Sequence, residues 1–204
     1  MEATTMHEIE FFFDCSSPWT YLAFESIQPI AARGDVTLIW KPFLVGGVFN
    51  TVNPSVYENR TNPVPSKAQY YQKDLQDWAT LIGIKIGSPP VFPVNSVKVM
   101  RGALVALEEG KFIEYTRFAF QRYWGELKDI SQDEEVKNIA ATAGLDVDEF
   151  FAKINDQGYK DRLREFTDEL VERGGFGSPT MFLDGDDMYF GNDRIQLLVA
   201  KLDR

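Results

Sequence analysis

Ser17 and Thr20 place two hydroxyl groups on either side of a proline and a tryptophan, in the order Ser17-Pro18-Trp19-Thr20. The apolar run of residues 9–13 just before them predicts a strand. Ser17 suits the N-cap of a following helix, with Pro18 at its first position. A hydroxyl there can donate a hydrogen bond to an anion, which the helix dipole also favours. Because a hydroxyl cannot exchange a disulfide, the pattern favours a site that stabilises a bound thiolate over a redox dithiol.

The composition of the 204 residues indicates a globular protein and disfavours several classes of partner. A hydrophobic fraction of 44% can supply the core of one large domain, or of a small domain with an insertion. The net charge of -10 disfavours nucleic acids and anionic membrane surfaces. One Cys cannot form an internal disulfide, and one Cys with one His cannot supply a zinc site of such ligands. We therefore expect no metal, no nucleic-acid partner and no membrane association.

The sequence pattern also lacks targeting signals. The apolar runs are too short to cross a bilayer, and residues 1–7 lack the basic and then apolar segments of a signal peptide. These features predict a cytoplasmic protein.

The predicted elements follow the order β-α-β, then a run of helices, then β-β-α. Apolar patterning predicts strands over residues 8–13 and 36–40, and Pro29 is expected to end or kink the helix between them. After the helices, residues 179–190 form a predicted hairpin. Asn192 is expected to cap the last helix.

The middle of the chain combines one long loop with a helical region. Residues 42–66, rich in Gly, Pro and Asn, predict an irregular loop, and loops of that length are often functional. Three capping-box patterns begin at Ser66, Ser131 and Asp146 and predict helix starts.

Three short motifs occur in order along the chain: Phe13-Asp14-x-x-Ser17-Pro18, Gly177-Ser178-Pro179-Thr180 and Gly191-Asn192-Asp193-Arg194. With these motifs the chain resembles the 2-hydroxychromene-2-carboxylate isomerase family. Kappa-class glutathione transferases are close relatives of that family, and periplasmic disulfide oxidoreductases are more distant ones. The resemblance implies glutathione as cofactor and an α/β thioredoxin-like fold with an inserted all-helical domain. We expect residues 1–61 and 175–204 to form the thioredoxin-like domain and residues 62–174 the insertion.

The resemblance assigns roles to the residues of these motifs. Ser17 matches the serine whose hydroxyl faces the glutathione sulfur and is the candidate catalytic residue; its simpler role is a helix cap. Pro179 is expected in the cis form, which leaves the backbone of Ser178 free to pair with the extended glutathione peptide. Asn192 and Asp193 match a pair that holds the γ-glutamyl end, where Asp193 meets the ammonium group. Capping alone is the alternative for Asn192.

The long loop carries further candidates by the same resemblance. Asn53 lies near a family asparagine that touches glutathione, and Asn62 competes for that role or contacts the substrate. Lys67 lies near a family lysine that meets the glycyl carboxylate of glutathione in the transferases. A solvated lysine at a helix start is the simpler interpretation of Lys67.

Two family residues that contact the acidic aromatic substrate are only partly matched. Phe49 or Asn50 stands where isomerases of the naphthalene pathway carry a lysine. Asn95 matches the first residue of a family Asn-Tyr pair, but Ser96 replaces the tyrosine. Phe49 and Asn95 are therefore the candidate substrate contacts, and the identity of the substrate stays open.

The favoured function is a glutathione-dependent isomerase that adds a thiolate reversibly to an unsaturated aromatic acid. By analogy with the relatives, the protein is expected to form a homodimer. A kappa-class-like glutathione transferase or peroxidase is the alternative, because the same site serves both. A disulfide oxidoreductase conflicts with the hydroxyls of Ser17 and Thr20, and a non-catalytic thiol-binding protein has no feature in its favour. Thr20 is expected to face away from the sulfur and contribute little. Cys15 lies in no redox pattern and is predicted as a small turn or core residue.

Overall fold

A four-stranded mixed sheet lies at the centre of the computed structural model, which describes residues 6–204. Its strands are β1 (His7–Phe13), β2 (Val36–Pro42), β3 (Thr180–Leu183) and β4 (Asp187–Phe190). The spatial order is β2-β1-β3-β4, with β1 parallel to β2 and antiparallel to β3. The predicted strands and hairpin are therefore present.

Alternating residues of β1 pack into two different cores, as expected for a strand inside a covered sheet. Ile9, Phe11 and Phe13 are fully buried in the larger core on one face. Phe12 points to the other face, where it packs edge to face against Phe182 with ring centroids 5.7 Å apart. Because both faces are covered, the end of β1 is a rigid platform for the residues that follow it.

Helices account for most of the remaining chain within residues 6–204. In chain order they are α1 (Pro18–Ala31), α2 (Val45–Val52), α3 (Ser55–Thr61), α4 (Pro65–Ile82), α5 (Val97–Glu108), α6 (Phe112–Phe120), α7 (Asp133–Thr142), α8 (Val147–Asn155), α9 (Gln157–Glu172) and α10 (Ile195–Leu202). A π-helical turn (Gln121–Gly125) follows α6, and a 3-10 turn (Asn192–Arg194) precedes α10. No helix in this part of the chain has the length and apolar character needed to span a membrane.

The prediction of an irregular loop over residues 42–66 was wrong, because α2 and α3 lie there. Val45 and Val48 of α2 are buried in the smaller core. Gly47 allows α2 to approach α9 closely, since a Cβ at this position would lie 3.0 Å from the Thr167 Cγ2. Burial against α9 thus outweighs the poor helix propensity of glycine.

Two of the three predicted capping boxes were also wrong. Ser66 lies inside α4, because Pro65 already suits the first turn of a helix. Ser131 precedes the start of α7 by two residues and instead bonds to the Asp129 carboxylate, its hydroxyl at 2.6 Å. Asp146 does cap α8, where its Oδ1 accepts the Glu149 N–H at 2.9 Å.

The termini of the first and last helices also differ from the sequence-based expectation. Pro29 lies within the final turn of α1, which continues for two residues beyond it to Ala31. Asn192 opens the 3-10 turn, and Arg194 rather than Asn192 precedes α10. The predicted capping by Asn192 was wrong, which leaves its side chain available for another role. Residues 1–5, part of the predicted first domain, lie outside the described residues, and the domain division stays a prediction.

Candidate active site

Ser17 lies at the start of α1 and links this helix to the segment before β3. Its Oγ accepts a hydrogen bond from the Thr20 N–H at 3.3 Å and donates one to the Ser178 carbonyl at 3.1 Å. Pro18 follows as the first residue of the helix. The predicted capping role of Ser17 is therefore confirmed. Its side chain is only partly buried, so a ligand can reach the hydroxyl.

Ser178 connects three segments through a buried hydrogen-bond network. Its Oγ lies 2.7 Å from the Thr20 Oγ1 and accepts the N–H of Asp14 at 3.0 Å. The Ser178–Pro179 peptide bond is cis, as predicted. The Ser178 carbonyl already accepts the Ser17 hydroxyl. Of the Ser178 backbone groups that were predicted to be free to pair with a peptide, only the N–H has no protein partner in the described chain.

Thr20 has a structural role that its sequence pattern did not predict, and its expected small contribution to catalysis stays a prediction. Its side chain is fully buried, and its hydroxyl is bonded to Ser178. Thr20 therefore holds the cis-proline segment against α1.

Asp14, directly after β1, is the centre of this network. Its carboxylate accepts hydrogen bonds from the Ser16 N–H at 2.9 Å, the Val45 N–H at 2.9 Å and the Ser96 hydroxyl at 3.1 Å. Burial raises the pKa of Asp14 above its ordinary value, although these hydrogen bonds oppose the rise. None of these three partners is a cation. When ionised, Asp14 therefore brings a negative charge to the site without a direct counter-charge.

Asn192 lies beside the cis-proline segment, because the Gly191 N–H donates to the Pro179 carbonyl at 3.1 Å. The Asn192 side chain is buried, and its Nδ2 has no hydrogen-bond partner within residues 6–204. Asp193 is exposed, and its carboxylate pairs with Arg194 at 2.6 Å. A buried amide donor without an acceptor is rare in folded proteins, so the Asn192 amide is one of the few exceptions among the described residues.

Asn53 connects the end of α2 to the segment before Ser178. Its Nδ2 donates to the Phe176 carbonyl at 3.1 Å, and its Oδ1 accepts the Ser55 hydroxyl at 2.9 Å. The Phe176 ring packs against Phe190, with ring centroids 4.5 Å apart. The Asn53 amide thus joins two segments of the site, and its predicted contact with glutathione stays a prediction.

Phe49 and Phe92 belong to different segments and are bridged by Arg60. The Arg60 Cζ lies 5.5 Å from the ring centroid of Phe49 and 5.1 Å from that of Phe92. Phe92 packs on Trp124, with ring centroids 6.0 Å apart, and the Trp124 Nε1 donates to the Cys15 carbonyl at 2.9 Å. These contacts lead from α2 and α3 back to the turn after β1, where the catalytic candidate lies.

Within residues 6–204, the side chains of three predicted site residues form no hydrogen bond or ion pair with this group of residues. Lys67 is exposed in the first turn of α4 and forms no ion pair with the described residues. Asn62 is exposed at the end of α3. The Asn95 Oδ1 accepts the Val97 N–H at 3.1 Å and so stabilises the start of α5. Their binding roles stay predictions.

Cys15 is buried in the core close to the site, as its predicted role requires. Burial raises the pKa of the Cys15 thiol well above its ordinary value, and the negative charge of Asp14 raises it further. The thiol is therefore protonated near neutral pH and unsuited to nucleophilic attack.

Sequence reasoning missed three residues of this site. Asp14 belongs to a motif that was singled out, so its position beside Ser17 was an available signal. Thr20 was considered only as a hydroxyl that argues against a redox dithiol. Arg60 lies in a segment predicted to be irregular, and nothing in the local sequence marks it.

Comparison with known proteins places this arrangement in a family. The family model described as DSBA-like thioredoxin domain matches residues 8–203. The chain is 33% identical over 203 residues to a 2-hydroxychromene-2-carboxylate isomerase from Pseudomonas putida, covering 96% of this chain and 94% of the relative. It is 27% identical to glutathione S-transferase kappa 1 from Rattus norvegicus, covering 95% and 90% of the two chains.

A solved structure supports the same assignment. A 2-hydroxychromene-2-carboxylate isomerase superposes with a TM-score of 0.81 at 27% identity, covering 97% of this chain and 95% of that one. The predicted thioredoxin-like fold with a helical insertion is thus confirmed. The chain belongs to the family of DSBA-like thioredoxin domains, in the group that contains the 2-hydroxychromene-2-carboxylate isomerases and the kappa-class glutathione transferases.

Proposed function

We propose that this protein is a cytoplasmic, glutathione-dependent isomerase of unsaturated aromatic acids. Relatives named as isomerases or glutathione transferases match it over nearly the full chain, which supports an enzyme. When bound, glutathione supplies a thiolate that adds reversibly to an electron-poor double bond and so allows rotation about it. The residues of this chain bind the peptide, stabilise the thiolate and orient the acid.

The unpartnered Nδ2 of Asn192 carries this proposal. A buried amide donor needs an acceptor; in this proposal the Asn192 side chain, which is closed to solvent in the free protein, turns outward and the α-carboxylate of the γ-glutamyl group supplies that acceptor. Asp193, exposed beside it, offers a carboxylate for the neighbouring ammonium group. Both residues therefore suit the end of glutathione that is remote from the sulfur.

The two hydrogen bonds of Ser17 suit it to serve a sulfur atom. Its oxygen accepts the Thr20 N–H, so its own proton points away from the helix and toward the Ser178 carbonyl. We assign the backbone of Ser178 to the peptide of glutathione, in the manner of an added strand. Once the Ser178 carbonyl has a different donor, Ser17 can turn its proton toward the thiolate.

When Asp14 is ionised, its charge makes this hydrogen bond more important. A buried carboxylate close to the sulfur opposes formation of a second negative charge. The Ser17 hydroxyl and the N-terminus of α1 must outweigh that repulsion. We therefore expect turnover to depend strongly on Ser17.

The test separates turnover from binding. For Ser17→Ala we expect initial rates with 2-hydroxychromene-2-carboxylate to fall about ten- to hundredfold, because a hydrogen bond to a charged group is lost. Calorimetry should show nearly unchanged glutathione affinity. Asn192→Ala and Asp193→Ala should mainly weaken glutathione binding. Ser16→Ala is the matched control, because only the Ser16 backbone takes part in the network.

The fate of glutathione distinguishes the alternatives. Full recovery of glutathione supports the isomerase, whereas its consumption identifies a transferase or peroxidase. Binding without turnover identifies a non-catalytic thiol-binding protein. An unchanged rate for Ser17→Ala contradicts the role of Ser17 in stabilising the thiolate.

A further inference from the structure

Arg60 differs from most arginines of the chain in its lack of an anionic partner. Most other arginines pair with a carboxylate, as Arg117 does with Glu25 at 2.8 Å. Within residues 6–204, Arg60 forms no ion pair and no hydrogen bond, although the chain carries a net charge of -10. A guanidinium group with free donors in an acidic protein is suited to an anion from outside the chain.

The Arg60 guanidinium group lies against two phenylalanine rings that come from different segments of the chain. Phe49 comes from α2 and Phe92 from the segment before α5, and each ring centroid lies within 6 Å of the Arg60 Cζ. Cation–π contacts of this kind satisfy the guanidinium group without using its N–H donors. The donors therefore stay available for a planar carboxylate, which they can bind in a bidentate manner.

Neighbouring tyrosines provide a second sign that Arg60 lies within this group of residues. Burial raises the pKa of Tyr71 and of Tyr123, and in both cases the positive charge of Arg60 opposes the rise. The Tyr71 hydroxyl accepts the Trp19 Nε1 at 2.6 Å, which ties it to the helix that Ser17 begins. Arg60 thus lies near a tyrosine that is bonded to α1.

We propose that Arg60, with Phe49 and Phe92, forms the recognition site for the carboxylate and aromatic ring of the second substrate. The two rings offer apolar area to an aromatic group, and the guanidinium edge offers two parallel donors to its carboxylate. This inference rests on the proposed function, because it assumes that the electrophile is an aromatic acid.

The test uses binding of an unreactive aromatic acid, so that it does not depend on turnover. Salicylate and its neutral amide, salicylamide, are titrated into the protein and followed by tryptophan fluorescence or calorimetry. For Arg60→Gln we expect at least about a tenfold loss of salicylate affinity and little change for salicylamide. Arg60→Lys keeps the charge but not the paired donors, so it should recover part of the loss.

Two controls separate local from general effects. Lys137→Gln removes an exposed positive charge on α7 and should leave salicylate binding unchanged. Glutathione affinity, measured on the same variants, should not respond to Arg60→Gln. Since the Arg60 side chain is exposed, these variants should fold normally.

Each outcome decides between defined alternatives. If wild type does not bind salicylate, or binds it as well as Arg60→Gln does, the carboxylate site is overturned. If Arg60→Gln instead weakens glutathione, Arg60 belongs to the glutathione site, and the proposed function survives without this inference. If salicylate binding depends on Arg60 but glutathione does not bind wild type, the carboxylate site stands and the proposed function fails.

Discussion

Glu10 and Asp14 are two carboxylates on or just after β1 that the protein treats differently. Glu10 faces α9 and lies between two cations, with Arg173 at 2.6 Å and Lys41 in direct contact. Asp14 lies four residues further on and accepts hydrogen bonds from neutral groups only. β1 therefore carries a carboxylate paired with cations in its middle. A buried carboxylate that is bonded to neutral donors follows directly after its end.

The pKa values of the two groups shift in opposite directions. Burial disfavours ionisation of Glu10, but the hydrogen bonds and charges of Lys41 and Arg173 outweigh it, so its pKa lies below the ordinary value. For Asp14 the burial effect prevails and the pKa is raised. Glu169 of α9 completes the Glu10 group through contacts of 2.6 Å to Lys41 and 2.9 Å to Arg173.

The contrast shows what each region contributes. The Glu10 group joins the sheet to α9 with balanced charge and touches no residue of the site. The Asp14 group joins four segments of the chain, at residues 14–20, 45, 96 and 178, through one carboxylate and one serine hydroxyl. It thereby determines the geometry around Ser17. We infer that the first group serves stability and the second positions the site at some cost in stability.

The largest expected effect is that of Asp14→Asn. An asparagine keeps one acceptor oxygen and replaces the other with an NH2 group. In either orientation of the amide, the Ser16 N–H or the pair of Val45 N–H and Ser96 hydroxyl therefore loses its acceptor. We expect the free energy of unfolding to fall by about 2–3 kcal/mol and glutathione affinity to drop. Urea denaturation and calorimetry measure both quantities. Asp146→Asn is the matched control, since asparagine is also a good N-cap.

A smaller effect is expected for Thr20→Val, which keeps the shape but removes the hydrogen bond to Ser178. We expect a loss of about 1–2 kcal/mol in the free energy of unfolding and weaker glutathione binding. Thr20→Ser keeps the hydroxyl and should restore most of the binding. Equal binding by the valine and serine variants contradicts a positioning role for Thr20.

Glu10→Gln should have an effect of about 1 kcal/mol or less on the free energy of unfolding. Lys41 and Arg173 keep Glu169 as a partner, and all four side chains retain some contact with water. Glutathione affinity and turnover should equal those of wild type. A loss of turnover without a loss of stability would show that the two carboxylate groups are coupled.

The smallest expected effect is the pH dependence of the contribution that each carboxylate makes to the free energy of unfolding. This dependence has opposite signs for Asp14 and Glu10. The folded-state pKa of Asp14 is raised, so its contribution to stability is fully present below the unfolded value of about 3.9 and is lost as pH rises through the folded value. The folded-state pKa of Glu10 is lowered, so its contribution is present above about 4.3 and is lost as pH falls through the folded value.

Urea denaturation of the wild type and both variants at several pH values checks these signs. From acid to neutral pH, the stability advantage of wild type over Asp14→Asn should shrink. Over the same range, its advantage over Glu10→Gln should grow. Parallel trends for the two variants would remove the distinction between the groups.

Local sequence alone determined several elements of this protein. The strands, the hairpin and the start of α1 at Ser17 follow from patterns that involve only neighbouring residues. Pro18 and the Ser17 hydroxyl define that helix start without help from distant parts of the chain. The ordered motifs were sufficient to predict the family and the cis form of Pro179.

Tertiary structure alone decided the rest, because the relevant partners are far apart in the chain. α2 forms in a glycine-rich segment only because it is buried against α9. Asp14 meets Val45, 31 residues away, and Ser96, 82 residues away. Local patterns report preferences within a few residues, whereas such contacts depend on how whole elements pack. For the same reason, the position of Arg60 between two aromatic rings emerged only from the folded chain.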